Sequence, residues 1–274
     1  MLQLSEALFM DTQKVEYRET GTGTTVLLVP GSCSTGAAWR PVIGHFKNVR
    51  AITTSLSGYG ATAERRTNAD HSITPVAEAL EAVIQRAGCA IHLVGHSFGG
   101  LTALSVALRR NVPLLSLTIF EAPAPGALIG AGEHTHLAAF QVMTDSYARA
   151  YRAGQPEAIG SMIDFYGGKG SWASMPEAVR AYATATTAVN LIDWDSAYGF
   201  ALNDNLSSLG DLRVCIVVGE RSHPAVKRAN ALIAERIPGA AFDTIAGAAH
   251  FMIATHPAQV ATLVERQIED GDLG

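Results

Sequence analysis

Residues 91–101 read I-H-L-V-G-H-S-F-G-G-L, and this stretch decides the fold. An apolar run with strand character ends before Gly95, and a helical run begins directly after Ser97. A serine on a sharp turn between a strand and a helix, flanked by small residues, holds its hydroxyl out over the sheet. The start of the helix also places the backbone N–H of Phe98 where it can stabilise an oxyanion. The pattern therefore predicts that Ser97 is a nucleophile.

A histidine near the carboxyl end of the sequence is the candidate base for this serine. A serine hydroxyl is too weakly acidic to attack a carbonyl unless a base lies within hydrogen-bond reach. His250 stands in the stretch G-A-A-H-F at residues 247–251, which follows the last apolar run. We therefore expect His250 to be the general base. The histidines show no spacing typical of metal ligands, so neither a metal nor another cofactor is predicted.

Short apolar runs alternate with helical segments along the chain. Each run is bounded by Gly, Pro or polar turn residues, which is typical of strands buried on both faces of a parallel sheet. Between the second and third runs, apolar residues recur at helical spacing from Ile73 to Ala87, and Gly88 is expected to end that helix. The alternation predicts an α/β protein with a mostly parallel central sheet flanked by helices. The predicted strands cover residues 25–29, 49–53, 90–94, 115–120, 214–218 and 242–245.

The alternation stops after Phe120, and a helical insertion is expected there. The segment from about residue 124 to 209 has no strand pattern, is divided by Gly and Pro, and is rich in aromatic residues. Such an insertion between two strands predicts a helical lid, although the aromatics would equally form the core of a structural layer. Asp193 and Asp195 are expected at its surface or in lid–core contacts. We divide the chain into a first core part (1–123), the lid (124–210) and a second core part (211–274).

The composition excludes several classes of protein. With 48% hydrophobic and 16% charged residues among 274, the chain has enough apolar residues for a large core and is not disordered. A net charge of −5 and the absence of long basic runs argue against nucleic acid or an anionic membrane as a partner. No stretch has the length of a membrane span, and residues 1–10 lack the pattern of a signal peptide.

The cysteines favour a reducing compartment. Cys33, Cys89 and Cys215 are odd in number, far apart and in or beside apolar runs, so each is expected to be a buried free thiol. A cytoplasmic location fits this usage. The expected partner is a small-molecule substrate, and the sequence leaves open whether the chain forms homo-oligomers.

Together these motifs resemble the α/β-hydrolase superfamily, in its capped, serine-dependent branch. The resemblance covers nearly the whole chain and includes the elbow at residues 95–99, V-P-G-S at 29–32, G-Y-G at 58–60 and E-A-P at 121–123. It implies the α/β-hydrolase fold with an inserted helical lid, and an oxyanion hole formed by the backbone N–H groups of Phe98 and Ser32. Members usually have His-Gly where this chain has Pro30-Gly31, so the loop before Ser32 must be supported differently.

The acidic member of the expected triad departs from the family pattern. Members usually carry an Asp at the position of Ser222, and a serine cannot hold the negative charge that orients the histidine. Glu121 directly follows the strand at 115–120, whereas Glu220 stands two residues before Ser222. We favour Glu121, because a carboxylate after a buried strand needs a partner. Glu220 is the alternative acid, and a purely structural Glu121 is the alternative interpretation.

The predicted function is hydrolysis of a small, mainly apolar carboxylic ester, thioester or lactone through an acyl-serine intermediate. Two alternatives stay open. The same fold supports carbon–carbon bond hydrolases and lyases, in which Ser97 and His250 would mainly transfer protons. A non-catalytic protein that binds a small molecule is the other alternative, favoured by the serine at position 222.

Overall fold

The structure is a computed structural model and describes residues 7–10, 13–202 and 204–272. Its strands are β1 Ala7–Met10, β2 Gln13–Glu16, β3 Arg18–Thr20, β4 Thr24–Val29, β5 Val49–Thr53, β6 Ile91–His96, β7 Leu114–Phe120, β8 Arg213–Gly219 and β9 Ala241–Ile245. Its α-helices are α1 Arg40–Ile43, α2 Thr74–Ala87, α3 Phe98–Arg109, α4 Pro125–Ala131, α5 His134–Arg152, α6 Gly160–Gly167, α7 Ser171–Ser174, α8 Glu177–Ala185, α9 Thr187–Gly199, α10 Pro224–Arg236, α11 Met252–Thr255 and α12 Pro257–Asp272. Short 3₁₀ helices occur at Gly36–Trp39 and Asp204–Leu209.

A seven-stranded sheet, counted over the described residues, forms the centre of the protein in the order β3-β5-β4-β6-β7-β8-β9. The pair β3–β5 is antiparallel, and the pairs from β5 to β9 are parallel. β1 and β2 pair with each other as an antiparallel hairpin. The α/β fold with a mostly parallel, helix-flanked sheet is therefore confirmed.

The central strands are buried on both faces because helices cover each side of the sheet. In β4, Leu27 and Val29 join the apolar cluster that contains α2 and α3, whereas Val26 and Leu28 join the cluster that contains α12. Successive side chains of a strand point to opposite faces, so both sets must be apolar. This is the physical origin of the nearly continuous apolar runs in the sequence.

The six predicted runs all lie in the sheet, and their ends are shifted by no more than two residues. The expectation of burial on both faces is wrong for β9, which is an edge strand with alternating exposure and a 44% exposed Phe242. The sequence analysis missed β3, whose residues are all exposed and polar and therefore give no apolar signal. The predicted helix is α2, and Gly88 ends it in the left-handed conformation with φ 73°.

Between β7 and β8 the described chain is helical and contains α4 to α9. Several of its aromatic side chains are buried, among them Phe140, Tyr147, Tyr166 and Trp194, so they form an apolar core for this segment. The segment at residues 124–210 is called the insertion below. Its limits, and its division from core parts 1–123 and 211–274, stay predictions.

The cysteines are unpaired in the structure. Cys33 and Cys215 are buried as expected, whereas the expectation is wrong for Cys89, which is exposed in the turn between α2 and β6. Of the helices in the described residues, none combines the length and apolar character needed to cross a bilayer. A cytoplasmic location stays a prediction.

Helix α3 packs so closely on the sheet that backbone meets backbone. A Cβ added at Gly99 would lie 2.2 Å from the carbonyl oxygen of Pro30, just after β4. A Cβ added at Gly95 would lie 2.5 Å from the carbonyl oxygen of Gly99. Because backbone atoms cannot move aside as flexible side chains do, both positions require glycine for this close approach.

We expect Gly99→Ala to lower the free energy of unfolding by about 3 kcal/mol or more, since the added methyl overpacks a rigid contact. Gly199→Ala is the matched control, because a Cβ there meets no atom within 4 Å. That variant should stay within about 1 kcal/mol of the wild-type value. Urea unfolding followed by circular dichroism measures both, and equal effects of the two substitutions would contradict this account of the packing.

Candidate active site

Ser97 stands on the sharp turn between β6 and α3. Its backbone has φ 56° and ψ −130°, a combination that residues other than glycine rarely adopt. The surrounding backbone holds it there: its N–H donates to Phe120 O at 2.9 Å, and its carbonyl accepts from Gly100 N–H at 2.8 Å. Such strain persists only where neighbouring structure over-determines it, and it is concentrated at functional sites.

His250 links Ser97 to a carboxylate. Its Nε2 lies 2.9 Å from Ser97 Oγ, and its Nδ1 lies 2.7 Å from Glu121 Oε2. The side chains of His250 and Glu121 are only 3% and 0% exposed. With Nδ1–H donating to the carboxylate, Nε2 is left to accept the proton of the serine hydroxyl. This is the hydrogen-bond order of a serine–histidine–acid triad.

The carboxylate of Glu121 is fixed at both oxygens. Oε1 accepts from the backbone N–H of Gly219 at 2.6 Å, while Oε2 faces His250. The residue also has a positive φ of 53°, and its own N–H donates to Val217 O at 3.1 Å. A charged group that is fully buried needs such partners, because an unpaired carboxylate is costly to remove from water.

Glu220 has a different position from the one required of a triad acid. It is exposed, and its Oε2 accepts from Gly247 N–H at 2.7 Å, so it braces the loop that leads to His250. Its contacts in the structure do not include the imidazole. Ser222, at the family's usual Asp position, is buried and lies close to Gly219. The backbone N–H of Gly219 donates to the carboxylate of Glu121.

The two expected oxyanion-hole residues flank Ser97. Phe98 is the first residue of α3, where backbone N–H groups have no intrahelical acceptor. The Gly31–Ser32 loop lies beside Ser97, since a Cβ added at Gly31 would be 2.8 Å from Ser97 Cβ and 3.4 Å from Ser97 Oγ. Phe98 and Ser32 both line the same cavity as Ser97.

His96 holds the loop of His250 by a hydrogen bond to its backbone. It is buried, its Nε2–H donates to the carbonyl of His250 at 2.8 Å, and the two rings lie 4.7 Å apart. Burial, with a smaller contribution from the neighbouring His250, lowers the pKa of His96 to about 3. A neutral His96 can hold this hydrogen bond without adding a positive charge beside His250. These contacts are those of a structural residue.

A cavity of about 660 Å³ opens in front of Ser97. The insertion supplies much of its wall, and the ring of Tyr166 packs on His250 with centroids 4.2 Å apart. No Lys, Arg or Glu occurs among the described residues that line the cavity. The wall is mainly apolar. Its apolar residues from the insertion include Met162, Ile163, Met175, Val179, Ala183 and Trp194.

The sequence analysis missed the role of one acidic residue in this wall. Asp193 on α9 is 2% exposed, so of its two expected places it has the lid–core contact and not the surface. Burial raises the pKa of Asp193 to about 6, although the neighbouring Arg66 acts to lower it. Asp195, in contrast, is exposed and pairs with His71. Polar residues at helical spacing on α9, at 187, 190, 193 and 196, were the signal that could have identified this buried polar face.

Comparison with known proteins agrees with the fold. A sequence model of the alpha/beta hydrolase family matches residues 26–263. Among curated proteins, none matches the sequence. The structure resembles Est816, an N-acyl homoserine lactone degrading enzyme, at 20% identity and a TM-score of 0.74, covering 95% of this chain and 99% of that one.

Two esterases have similar structures. The thermophilic esterase from Thermogutta terrifontis is 21% identical with a TM-score of 0.71, covering 97% of this chain and 98% of that one. The esterase EaEST from Exiguobacterium antarcticum is 18% identical with a TM-score of 0.74, covering 97% of this chain and 99% of that one. At these identities the similarity establishes the shared fold alone.

The contacts of the two glutamates predict a large loss of activity when the charge of Glu121 is removed and a small change when that of Glu220 is removed. Glu121→Gln should lower kcat for an activated ester by up to about 10⁴-fold, because an amide facing Nδ1 favours the wrong histidine tautomer. Glu220→Gln keeps an acceptor for Gly247 N–H and should change kcat by a few-fold at most. Steady-state kinetics with 4-nitrophenyl butyrate measures both, with circular dichroism as the check on folding. If Glu220→Gln is the crippled variant, the acid is misidentified.

Proposed function

This chain belongs to the alpha/beta hydrolase family, and we propose that it is a serine hydrolase acting on a small, mainly apolar carboxylic ester, thioester or lactone. One observation carries the proposal, namely the continuous hydrogen-bonded path from Ser97 Oγ through His250 to Glu121. A serine becomes nucleophilic when an adjacent base accepts its proton and a third group orients that base. All three groups lie at the wall of, or directly behind, one cavity.

In the proposed first half-reaction, Ser97 Oγ attacks the substrate carbonyl carbon while His250 Nε2 accepts the hydroxyl proton. The carbonyl oxygen becomes an oxyanion, which the N–H groups of Phe98 and Ser32 stabilise by hydrogen bonds. His250 then donates its proton to the leaving alkoxide or thiolate as the bond to the acyl carbon breaks. The products of this half-reaction are an acyl-serine ester and a free alcohol or thiol.

In the second half-reaction, water attacks the acyl-serine ester and gives its proton to His250. Collapse of the second tetrahedral intermediate releases the carboxylic acid, and the proton on His250 returns to Ser97 Oγ. Glu121 stays ionised through both halves and stabilises the imidazolium each time it forms. For a lactone, the alcohol and the acid are two ends of one product molecule.

The cavity supports the proposed substrate class. A volume of about 660 Å³ suits a molecule considerably larger than acetate, and a mainly apolar wall favours uncharged hydrocarbon groups. The wall has no lysine or arginine among its described residues, so no permanently positive side chain there would pair with a substrate carboxylate or phosphate. The similarity to a lactone-degrading enzyme and two esterases is compatible with an ester or lactone.

We further propose that the insertion at residues 124–210 acts as a cap over the nucleophile. Met162 and Ile163 of α6, Val179 of α8 and Trp194 of α9 all line the cavity in which Ser97 lies. A cap of this kind excludes water and raises the strength of electrostatic interactions around the reacting atoms. Residues of the cap, more than those of the sheet, would then determine which acyl groups fit.

Replacing the proposed nucleophile gives the most direct test. The wild-type protein should hydrolyse 4-nitrophenyl butyrate and react covalently with a fluorophosphonate probe, since both require an activated serine. Ser97→Ala should lose at least about 10⁴-fold in kcat, as expected when a triad nucleophile is removed. Ser105→Ala, a buried serine elsewhere on α3, is the matched control and should retain turnover and labelling.

The outcomes separate the proposal from its alternatives. A wild-type protein that neither turns over esters nor reacts with the probe would support the non-catalytic binding protein. Labelling at Ser97 without ester turnover, together with cleavage of a vinylogous diketone, would support the carbon–carbon hydrolase. Undiminished ester hydrolysis by Ser97→Ala would refute the assignment of the nucleophile.

The apolar wall predicts a preference among acyl groups. Along 4-nitrophenyl acetate, butyrate and hexanoate, kcat/KM should rise by up to about 4-fold per added CH₂, which corresponds to ~0.8 kcal/mol of apolar burial. A 4-nitrophenyl ester whose acyl chain ends in a carboxylate should react far more slowly than a neutral ester of equal length. Initial rates measure the whole series, and equal rates for the charged and neutral esters would contradict an uncharged substrate site.

A further inference from the structure

The loop beside the nucleophile is tied to the insertion by a buried carboxylate. Ser32 Oγ donates to Asp193 Oδ2 at 2.5 Å, joining residues 161 positions apart in the sequence. The same oxygen accepts from the hydroxyl of Tyr59 at 2.6 Å. Asp193 is on α9 of the insertion, whereas Ser32 and Tyr59 are on loops at the end of the sheet. The carboxylate therefore bridges the two parts of the protein.

An arginine compensates the charge of this carboxylate. The side chain of Arg66 is fully buried, with Nη1 2.8 Å from Asp193 Oδ1 and Nη2 2.8 Å from Glu64 Oε2. Arg66 Nη1 also donates to Ser196 Oγ on α9 at 3.0 Å. A buried ion pair costs desolvation, and removing one partner would leave the other charge buried and uncompensated. These contacts hold Asp193 in one position against the loop.

The loop itself needs such support. Pro30 has no N–H to donate, so it cannot make the hydrogen bonds that a residue with an N–H or a polar side chain would make there. Cys33, directly after Ser32, has a positive φ of 55°, a conformation that residues other than glycine adopt at a cost. A strained loop beside the nucleophile keeps its shape only if contacts from elsewhere fix it. The hydrogen bond from Ser32 to Asp193 is such a contact.

We propose that Asp193 is a positioning residue, which holds the Ser32 backbone N–H beside Ser97 through its hydrogen bond to Ser32 Oγ. The inference rests on the proposed serine hydrolase function. It means that the oxyanion hole is complete only while α9 is seated on the core. Asp193 touches no reacting atom in this account and acts through Ser32.

Removing the Ser32 hydroxyl tests the tether without deleting the oxyanion donor, since the backbone N–H stays in place. Ser32→Ala should lower kcat for 4-nitrophenyl butyrate at pH 8 by about 10-fold to 100-fold, the loss expected when a donor is misplaced and not removed. KM should change little, because the hole binds the oxyanion of the transition state more strongly than the ground-state carbonyl. Ser32→Thr keeps a hydroxyl and should restore most of kcat.

Tyr147→Phe is the matched control. Tyr147 is fully buried on α5, and its hydroxyl donates to the carbonyl of Thr187, at the start of α9, at 3.3 Å. Removing this hydroxyl weakens another hydrogen bond that holds α9 but leaves the Ser32–Asp193 bond and the contacts of Arg66 intact. We expect kcat close to wild type, with at most a small loss of thermal stability. Equal losses of kcat in Tyr147→Phe and Ser32→Ala would overturn the proposal.

Asp193→Asn gives a second, independent test of the proposed role. It should lower kcat with KM nearly unchanged, and in the double variant with Ser32→Ala the two losses should not multiply, because both remove one tether. Fully multiplicative losses would overturn the proposal. If Asp193→Asn does not fold, the contrast among Ser32→Ala, Ser32→Thr and Tyr147→Phe still decides it.

Failure of the role proposed for Asp193 can be distinguished from failure of the proposed hydrolase function. A wild-type protein without ester turnover or fluorophosphonate labelling would overturn the proposed function and the inference with it. An active wild-type protein, together with a Ser32→Ala variant of unchanged kcat, would overturn the role of Asp193 alone. The affinity of a boronic acid that forms a tetrahedral adduct with Ser97 should fall in parallel with kcat in Ser32→Ala.

Discussion

The hydrogen-bond ladder of the parallel sheet continues one residue beyond the strands, and this continuation fixes the candidate site. Ser97, just after β6, donates its backbone N–H to Phe120 O of β7. Glu121, just after β7, donates to Val217 O of β8, and Glu220, just after β8, donates to Ile245 O of β9. Each strand end therefore holds the first residue of its neighbour's loop.

This ladder allows side chains from distant parts of the sequence to meet with little freedom. Parallel strands bring their carboxyl ends to the same edge of a sheet, which is where open α/β sheets hold their ligands. Ser97 and Glu121 both have positive φ values, 56° and 53°, and such backbone strain costs of order 1–3 kcal/mol per residue. The ladder bonds hold both residues against that strain. Hydrogen bonds then hold His250 at two points, with Glu121 at its ring and His96 at its backbone carbonyl.

The sequence predicted those parts of the structure whose signals are local. Apolar runs located the central strands, because burial on both faces makes most of their positions apolar, whereas the exposed β3 had no such pattern. Glu121 was identifiable as a candidate because a carboxylate directly after a buried strand must find a partner. Its contact with His250 could not be derived, since it depends on how the loop after β9 returns across the sheet.

The role of Asp193 was hidden for a related reason. A helix is usually read by its apolar face, but the buried face of α9 carries polar residues whose partners, Arg66 and Ser32, are remote in the sequence. An isolated polar residue on a helix is therefore read as exposed or as a simple contact. Only the spatial neighbours distinguish a solvated aspartate from a buried one.

The polar contacts between α9 and the loop of Ser32 differ from apolar contacts in being directional. Apolar surfaces tolerate sliding because dispersion contacts have little directionality, whereas hydrogen bonds fix both distance and angle. Two apolar faces between α9 and the sheet edge could bury as much surface, but their contacts would not specify one distance and angle between α9 and the loop. The hydrogen bond from Ser32 to Asp193 does specify them, and the ion pair with Arg66 compensates the buried charge at a cost in desolvation. One carboxylate therefore joins the insertion wall of the cavity to the loop beside Ser97.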